Sequence, residues 1–142
     1  MDKYTKASIV FTKFSRHNVA LKRFLPIRPS EMSALNIITR CGCDITPMVI
    51  AERLGVSKPM TAAHIQSLEE KGYIYKETSP DDKRSFYVRP TEAGRALTDE
   101  FEAKQRETMM ELESKLGSDK FEELICLLDM TQRILHEMND GT

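Results

Sequence analysis

Tryptophan is missing from this 142-residue chain, aromatic residues make up only 7% of it, and no stretch approaches the ~20 consecutive apolar residues of a membrane span. The N-terminus also lacks the apolar core of a secretory signal, so a cytoplasmic protein is expected. Cysteine is scarce. Cys41 and Cys43 flank Gly42 and Cys126 stands far away, which is unlike the even framework of a disulfide-stapled secreted domain. Histidine is limited to His17, His64 and His136, and there is no HExxH, no glycine-rich phosphate loop and no GxSxG turn. Neither an enzyme, a cofactor nor a bound metal is expected. Charge of one sign is lacking too, with 21 Lys/Arg against 22 Asp/Glu.

That balance conceals an asymmetry. Residues 1–40 carry eight Lys/Arg and two Asp/Glu, whereas residues 91–142 carry six and thirteen. The two ends are therefore electrically opposite, and a nearly neutral total does not exclude a polyanionic partner. The length suits one domain with a real core, mostly helical.

The stretch from Ile45 to Thr91 is the most structured by its local signals. Thr46 is an N-cap with Pro47 at the first helical position, Ile45 and Ile50 form a hydrophobic staple, and Gly55 follows Leu54 where a left-handed residue is wanted. Ser57 caps a second helix, Pro59 lies in its first turn, and the helix runs to about Lys71 before Gly72. Ile65 and Leu68 point inward. Lys58, Pro59, Met60, Ala62, Ala63 and Gln66 are left on the outer side as a recognition face. Tyr73-Ile74-Tyr75 leads into Lys76-Glu77-Thr78, and Phe86-Tyr87-Val88 returns, giving a hairpin whose tip carries Asp81, Asp82, Lys83 and Arg84. An arginine on such a tip can enter a minor groove, with Asp82 holding Arg84 in place. Helix, turn, helix and charged wing together point to duplex DNA.

Four fragments in this order, Leu54-Gly55-Val56-Ser57, Leu68-Glu69-Glu70-Lys71-Gly72-Tyr73-Ile74, Asp81-Asp82-Lys83-Arg84 and Thr91-Glu92-Ala93-Gly94, resemble the MarR (multiple antibiotic resistance regulator) family of winged-helix transcription factors. The resemblance extends along the whole chain. It implies a mainly α fold with a small β-hairpin wing and about six helices, in which residues 1–25 and 117–142 dimerise, 30–91 form the DNA-binding lobe and 92–116 form a long connecting helix. The function implied is that of a homodimeric, ligand-responsive repressor on a pseudo-palindromic duplex. A small aromatic or anionic effector would bind where the first, supporting and fifth helices meet, with Arg16, His17 and Arg23 as candidates for an anion.

The recognition helix departs from relatives that carry an arginine near its middle, since Met60-Thr61-Ala62-Ala63 stands there instead. No bidentate guanine reader is present. Ser57 and Lys58 are then phosphate clamps, Gln66 the best direct base contact, and Pro59, Met60 and Ala62 partners for thymine methyls. His64 is expected to pack half-buried or donate to phosphate rather than bind metal.

The flanking segments are amphipathic. From Lys3 to Phe24, Tyr4, Ala7, Val10, Phe11, Phe14 and Leu21 recur at helical spacing until Pro26 ends the run. Ser30 is a plausible cap for a supporting helix to Arg40, and Cys43-Asp44-Ile45 is a candidate third strand. Thr91 caps a long helix broken at Gly117-Ser118, after which Phe121, Leu124, Ile125, Leu128, Ile134, Leu135 and Met138 form another stripe. Two alternatives stay open. One is a winged-helix protein-interaction module without DNA binding; the other is a regulator sensing thiol state or metal through Cys41 and Cys43.

Overall fold

The computed structural model describes every residue except 21–24, 43 and 142, and all described side chains except those of 18–20. Its elements are α1 (Lys3–Ala20), α2 (Pro29–Arg40), α3 (Pro47–Leu54), α4 (Lys58–Glu70), β1 (Ile74–Thr78), β2 (Phe86–Pro90), α5 (Glu92–Leu116) and α6 (Ser118–Asp140). They fall into two compact units, Met1–Phe101 and Glu102–Thr142.

The first unit closes around one core. Met32, Leu35 and Ile38 of α2 meet Ile45, Ile50 of α3, Ile65 and Leu68 of α4, Ile74 and Val88 of the sheet, and Leu97 of α5, all buried. Local chemistry sets the helix ends as the caps anticipate. Thr46 Oγ1 accepts from Val49 N–H at 3.4 Å, Ser57 Oγ accepts from Met60 N–H at 3.2 Å, and Gly55 takes the left-handed conformation at φ 67°, ψ 32°.

Two expectations are corrected. The supporting helix starts at Pro29, so Arg28 rather than Ser30 is its N-cap. The Arg28 N–H is satisfied by Glu31 Oε1 at 3.3 Å, and proline at the first helical position leaves Ser30 already inside the first turn. The sheet of the described residues has two strands, β1 and β2, antiparallel with Lys76 opposite Val88. Among the described residues Ile45 contributes one rung, its carbonyl accepting from Val88 N–H at 2.8 Å, and Thr46 then turns the chain directly into α3. Cys43 of the expected third strand, and Leu21 and the rest of the expected first helix to Phe24, lie outside the described residues.

The start of α5 is tied to the turn before β1 by two hydrogen bonds and capped by a third. Thr91 N–H donates to the Tyr73 carbonyl at 3.0 Å, Thr91 Oγ1 donates to the Gly72 carbonyl at 2.6 Å, and the same oxygen accepts from Gly94 N–H at 3.1 Å. Gly94 is buried here, and a methyl group on it would overlap the Tyr73 carbonyl oxygen. Backbone meets backbone, so only glycine fits.

The apolar stripe of α5 divides between two environments. Leu97 is buried and Phe101 half-buried against the lobe core, whereas Met109, Leu112 and Leu116 are exposed. In the second unit no residue of α6 is buried; Ile134, Leu135 and Met138 are all exposed. Tyr4, Val10, Phe11 and Phe14 of α1 are exposed in the same way.

Candidate nucleic-acid interface

All six recognition-face residues named from sequence, Lys58, Pro59, Met60, Ala62, Ala63 and Gln66, are exposed on α4, and the capping Ser57 is exposed at its start. The opposite side of the helix is sealed by Thr61, Ile65 and Leu68. Thr61 is accommodated in the core because its hydroxyl donates to the Ser57 carbonyl at 3.0 Å, which removes the penalty of burying it. His64 is half-buried and its Nε2 is enclosed without a hydrogen-bond partner among the described residues. Gln66 is not free-swinging. Its side-chain nitrogen donates to Glu70 Oε1 one turn later at 3.2 Å, leaving the carbonyl oxygen and one N–H open.

The wing tip carries Lys83 and Arg84, both exposed. Asp82 supports it in a different way from the side-chain pair expected. Its Oδ1 accepts from the backbone N–H of Arg84 at 2.9 Å, a turn-stabilising bond that a residue two positions away can reach more easily than a guanidinium. Ser85 N–H to the Asp82 carbonyl at 3.1 Å and Ser79 N–H to the Ser85 carbonyl at 3.2 Å complete the turn.

Below the tip, Arg89 on β2 anchors the hairpin. Its Nε donates to Glu77 on β1 at 2.8 Å and its Nη2 to Asp44 ahead of α3 at 2.6 Å, with the guanidinium 5.2 Å from the centre of the Tyr87 ring. The hydrogen bonds to Glu77 and Asp44 push its pKa further above the ordinary arginine range. Sequence reading missed this brace, since neither carboxylate stands at a helical or hairpin-tip spacing that would flag it.

A second brace was also missed. Glu31 is buried between α2 and α4, where it accepts from Ser67 Oγ at 2.6 Å and Lys71 Nζ at 3.4 Å in addition to Arg28 N–H. Burial works to raise its pKa, but the hydrogen bonds from Ser67, Arg28 and Lys71 outweigh burial and hold the carboxyl below its ordinary value of 4.5. Supporting helix and recognition helix are thereby fixed to each other.

The effector candidates are less organised. Arg16 and His17 are exposed on α1 and make no hydrogen bond or ion pair among the described residues, and Arg23 lies outside those residues. Cys41 is half-buried against the lobe core, its N–H donating to the Ile37 carbonyl at 3.1 Å, while Cys43 lies outside the described residues and Cys126 is exposed. No cluster of metal-ligating side chains occurs among the described residues, and no described helix is long and apolar enough to cross a membrane.

The MarR family model matches residues 25–85. FabT from Streptococcus pneumoniae, solved in complex with DNA, superimposes with a TM-score of 0.83 at 20% identity, covering 96% of this chain and 99% of that one. MepR from S. aureus matches as a variant with a TM-score of 0.77 at 18% identity, covering 95% and 99%, and bound to ethidium bromide with 0.63 at 18% identity, covering 95% and 97%. MarR from E. coli, in its apo form, gives 0.71 at 24% identity, covering 92% and 97%. At these identities the likeness establishes the fold.

Proposed function

We propose, from the match of residues 25–85 to the MarR family model, that this protein is a homodimeric transcriptional regulator that binds double-stranded DNA sequence-specifically, acts as a repressor and responds to a small molecule. One observation carries the reading. The outer face of α4 is exposed, as is the Lys83-Arg84 tip, while the helix is held from behind by a closed core and the lobe by the Glu31 and Arg89 braces. A rigid, solvent-facing helix flanked by a cationic wing has no intramolecular role left to fill, and it suits a major groove with the wing over the adjoining minor groove. FabT in complex with DNA supports the same reading.

Homodimerisation is supported by the exposed apolar residues of α1 and α6, in keeping with dimerisation through residues 1–25 and 117–142 around a DNA-binding lobe at 30–91 and a connecting helix at 92–116. An enzyme is not required by any group on this surface. MepR bound to ethidium bromide supports a small-molecule effector, here of aromatic or anionic chemistry with Arg16 and His17 as candidates for its charged end. The effector acts by changing the separation of the two recognition helices, which read successive half-sites only when held ~34 Å apart. By linkage it binds the DNA-free arrangement more tightly than the DNA-bound one.

A salt titration tests this. With a duplex from the region upstream of its own gene, log K falls steeply with log salt, and Lys58→Ala or Arg84→Ala each reduces the slope by about one. Binding that is undetectable or insensitive to salt would leave a protein-interaction module as the better account.

A further inference from the structure

Two clefts flank the recognition helix. On the wing side, one of about 280 Å³ opens among Pro47, Lys58 and Phe86. On the other side, one of about 810 Å³ opens between the exposed Pro59, Met60 and Ala63 of α4 and the start of α2, where Arg28 and Ser30 line it. Resting on the DNA-binding reading above, we propose that Arg28 is a DNA phosphate contact, gripping the backbone strand that borders the major groove on the side away from the wing.

The argument begins with width. An α-helix with its side chains is ~10–12 Å across and the major groove ~12 Å, so a helix seated in the groove has one phosphate backbone along each flank. The wing attends to one flank. On the other, Arg28 is exposed, and its guanidinium makes no ion pair or hydrogen bond among the described residues.

Its backbone, by contrast, is held. Arg28 N–H donates to Glu31 at 3.3 Å, and the same carboxylate accepts from Ser67 of α4 at 2.6 Å and from Lys71 at 3.4 Å. The Cα of Arg28 is therefore tied to the recognition helix through one carboxylate, and Lys71, not Arg28, supplies the cation that this carboxylate pairs with. An arginine positioned but unspent loses less freedom on gripping a phosphate than one on an untethered loop.

Helix chemistry does not account for the residue. Arg28 is the N-cap of α2, where the preferred side chains are acceptors for the first free N–H groups, and where a cation faces the positive end of the helix dipole. An anion lying in the adjacent cleft resolves both conflicts.

The test compares wild type, Arg28→Ala, Arg28→Lys and Arg84→Ala for binding to the upstream duplex and to a mixed-sequence duplex across a salt series. Contact with a phosphate predicts that Arg28→Ala weakens binding to both duplexes by the same factor and lowers the slope of log K against log salt by about 0.9, with Arg28→Lys restoring the slope. A role confined to capping α2 would lower the melting temperature and leave the slope unchanged in both variants. If Arg84→Ala lowers the slope and Arg28→Ala does not, the Arg28 contact is overturned while the DNA-binding reading stands. If the wild type binds neither duplex, that reading fails and takes Arg28 with it.

Discussion

The Asp82 carboxylate accepts a hydrogen bond from the backbone N–H of Arg84 at 2.9 Å, so the tip of the wing is shaped by a side chain acting on the main chain while the Arg84 guanidinium is left to outside partners. Removing the acceptor loosens the turn without removing the arginine. Asp82→Ala is expected to weaken operator binding severalfold at unchanged salt slope, because no phosphate contact is lost. Asp82→Asn keeps an acceptor and sheds a negative charge near DNA, so it should bind at least as well as wild type. Equilibrium anisotropy on both variants checks this; equal losses in both would point to the carboxylate charge instead.

Gln66 presents one open N–H and one open carbonyl to solvent because Glu70 occupies its other N–H. Gln66→Ala is expected to cost about 1–3 kcal/mol, concentrated at one base pair of each half-site. A binding series over single-base operator variants reads this directly. A uniform loss across all variants would make Gln66 a packing residue.

Glu31 makes stability depend on acid pH. Its folded pKa lies below the ordinary 4.5, so its stabilisation is fully present above that value and is lost as pH falls through the lowered one. Glu31→Gln should therefore destabilise the lobe by about 1–3 kcal/mol at neutral pH. The gap between variant and wild type should shrink below pH 4.5 in thermal melts. A gap that stays constant through the acid range would mean that shape, not charge, does the work.

Gly94 lies where a methyl group would overlap the Tyr73 carbonyl oxygen. Gly94→Ala gains helix propensity but must push α5 from the hairpin, and overpacking of that kind costs about 1–3 kcal/mol. Denaturant unfolding of the variant measures the sum. A more stable Gly94→Ala would show that the start of α5 tolerates displacement.

Ile134 and Leu135 are exposed on α6 in a single chain. If a second copy covers them, Ile134→Asp or Leu135→Asp should raise the dimer dissociation constant about tenfold or more. Sedimentation velocity distinguishes this from a monomeric wild type, which would refute the homodimer outright.

What sequence made legible here is what neighbouring residues decide. Thr46, Ser57 and Thr91 cap groups within three positions, Gly55 ends a helix by its own backbone freedom, and the alternation from Tyr73 onward marks the hairpin. The recognition face followed from those helix ends. The braces did not, because Glu31 finds Ser67 across 36 positions and Arg89 finds Asp44 across 45, and nothing local announces either meeting. Arg28 escaped notice for a related reason: an arginine is a poor helix cap, so the start of α2 read two residues late, at Ser30. The apolar stripes of α1 and α6 were visible, but a stripe does not say whether its cover comes from the same chain.

Hydroxyl-radical footprinting on the upstream duplex tests the central claim most directly. Two recognition helices with flanking wings predict two protected half-sites about 10 base pairs apart, centre to centre, related by a dyad and requiring more protein, both together, in Lys58→Ala and Arg84→Ala. Protection of a single half-site, or none at any protein concentration, would contradict a dimeric reader of duplex DNA.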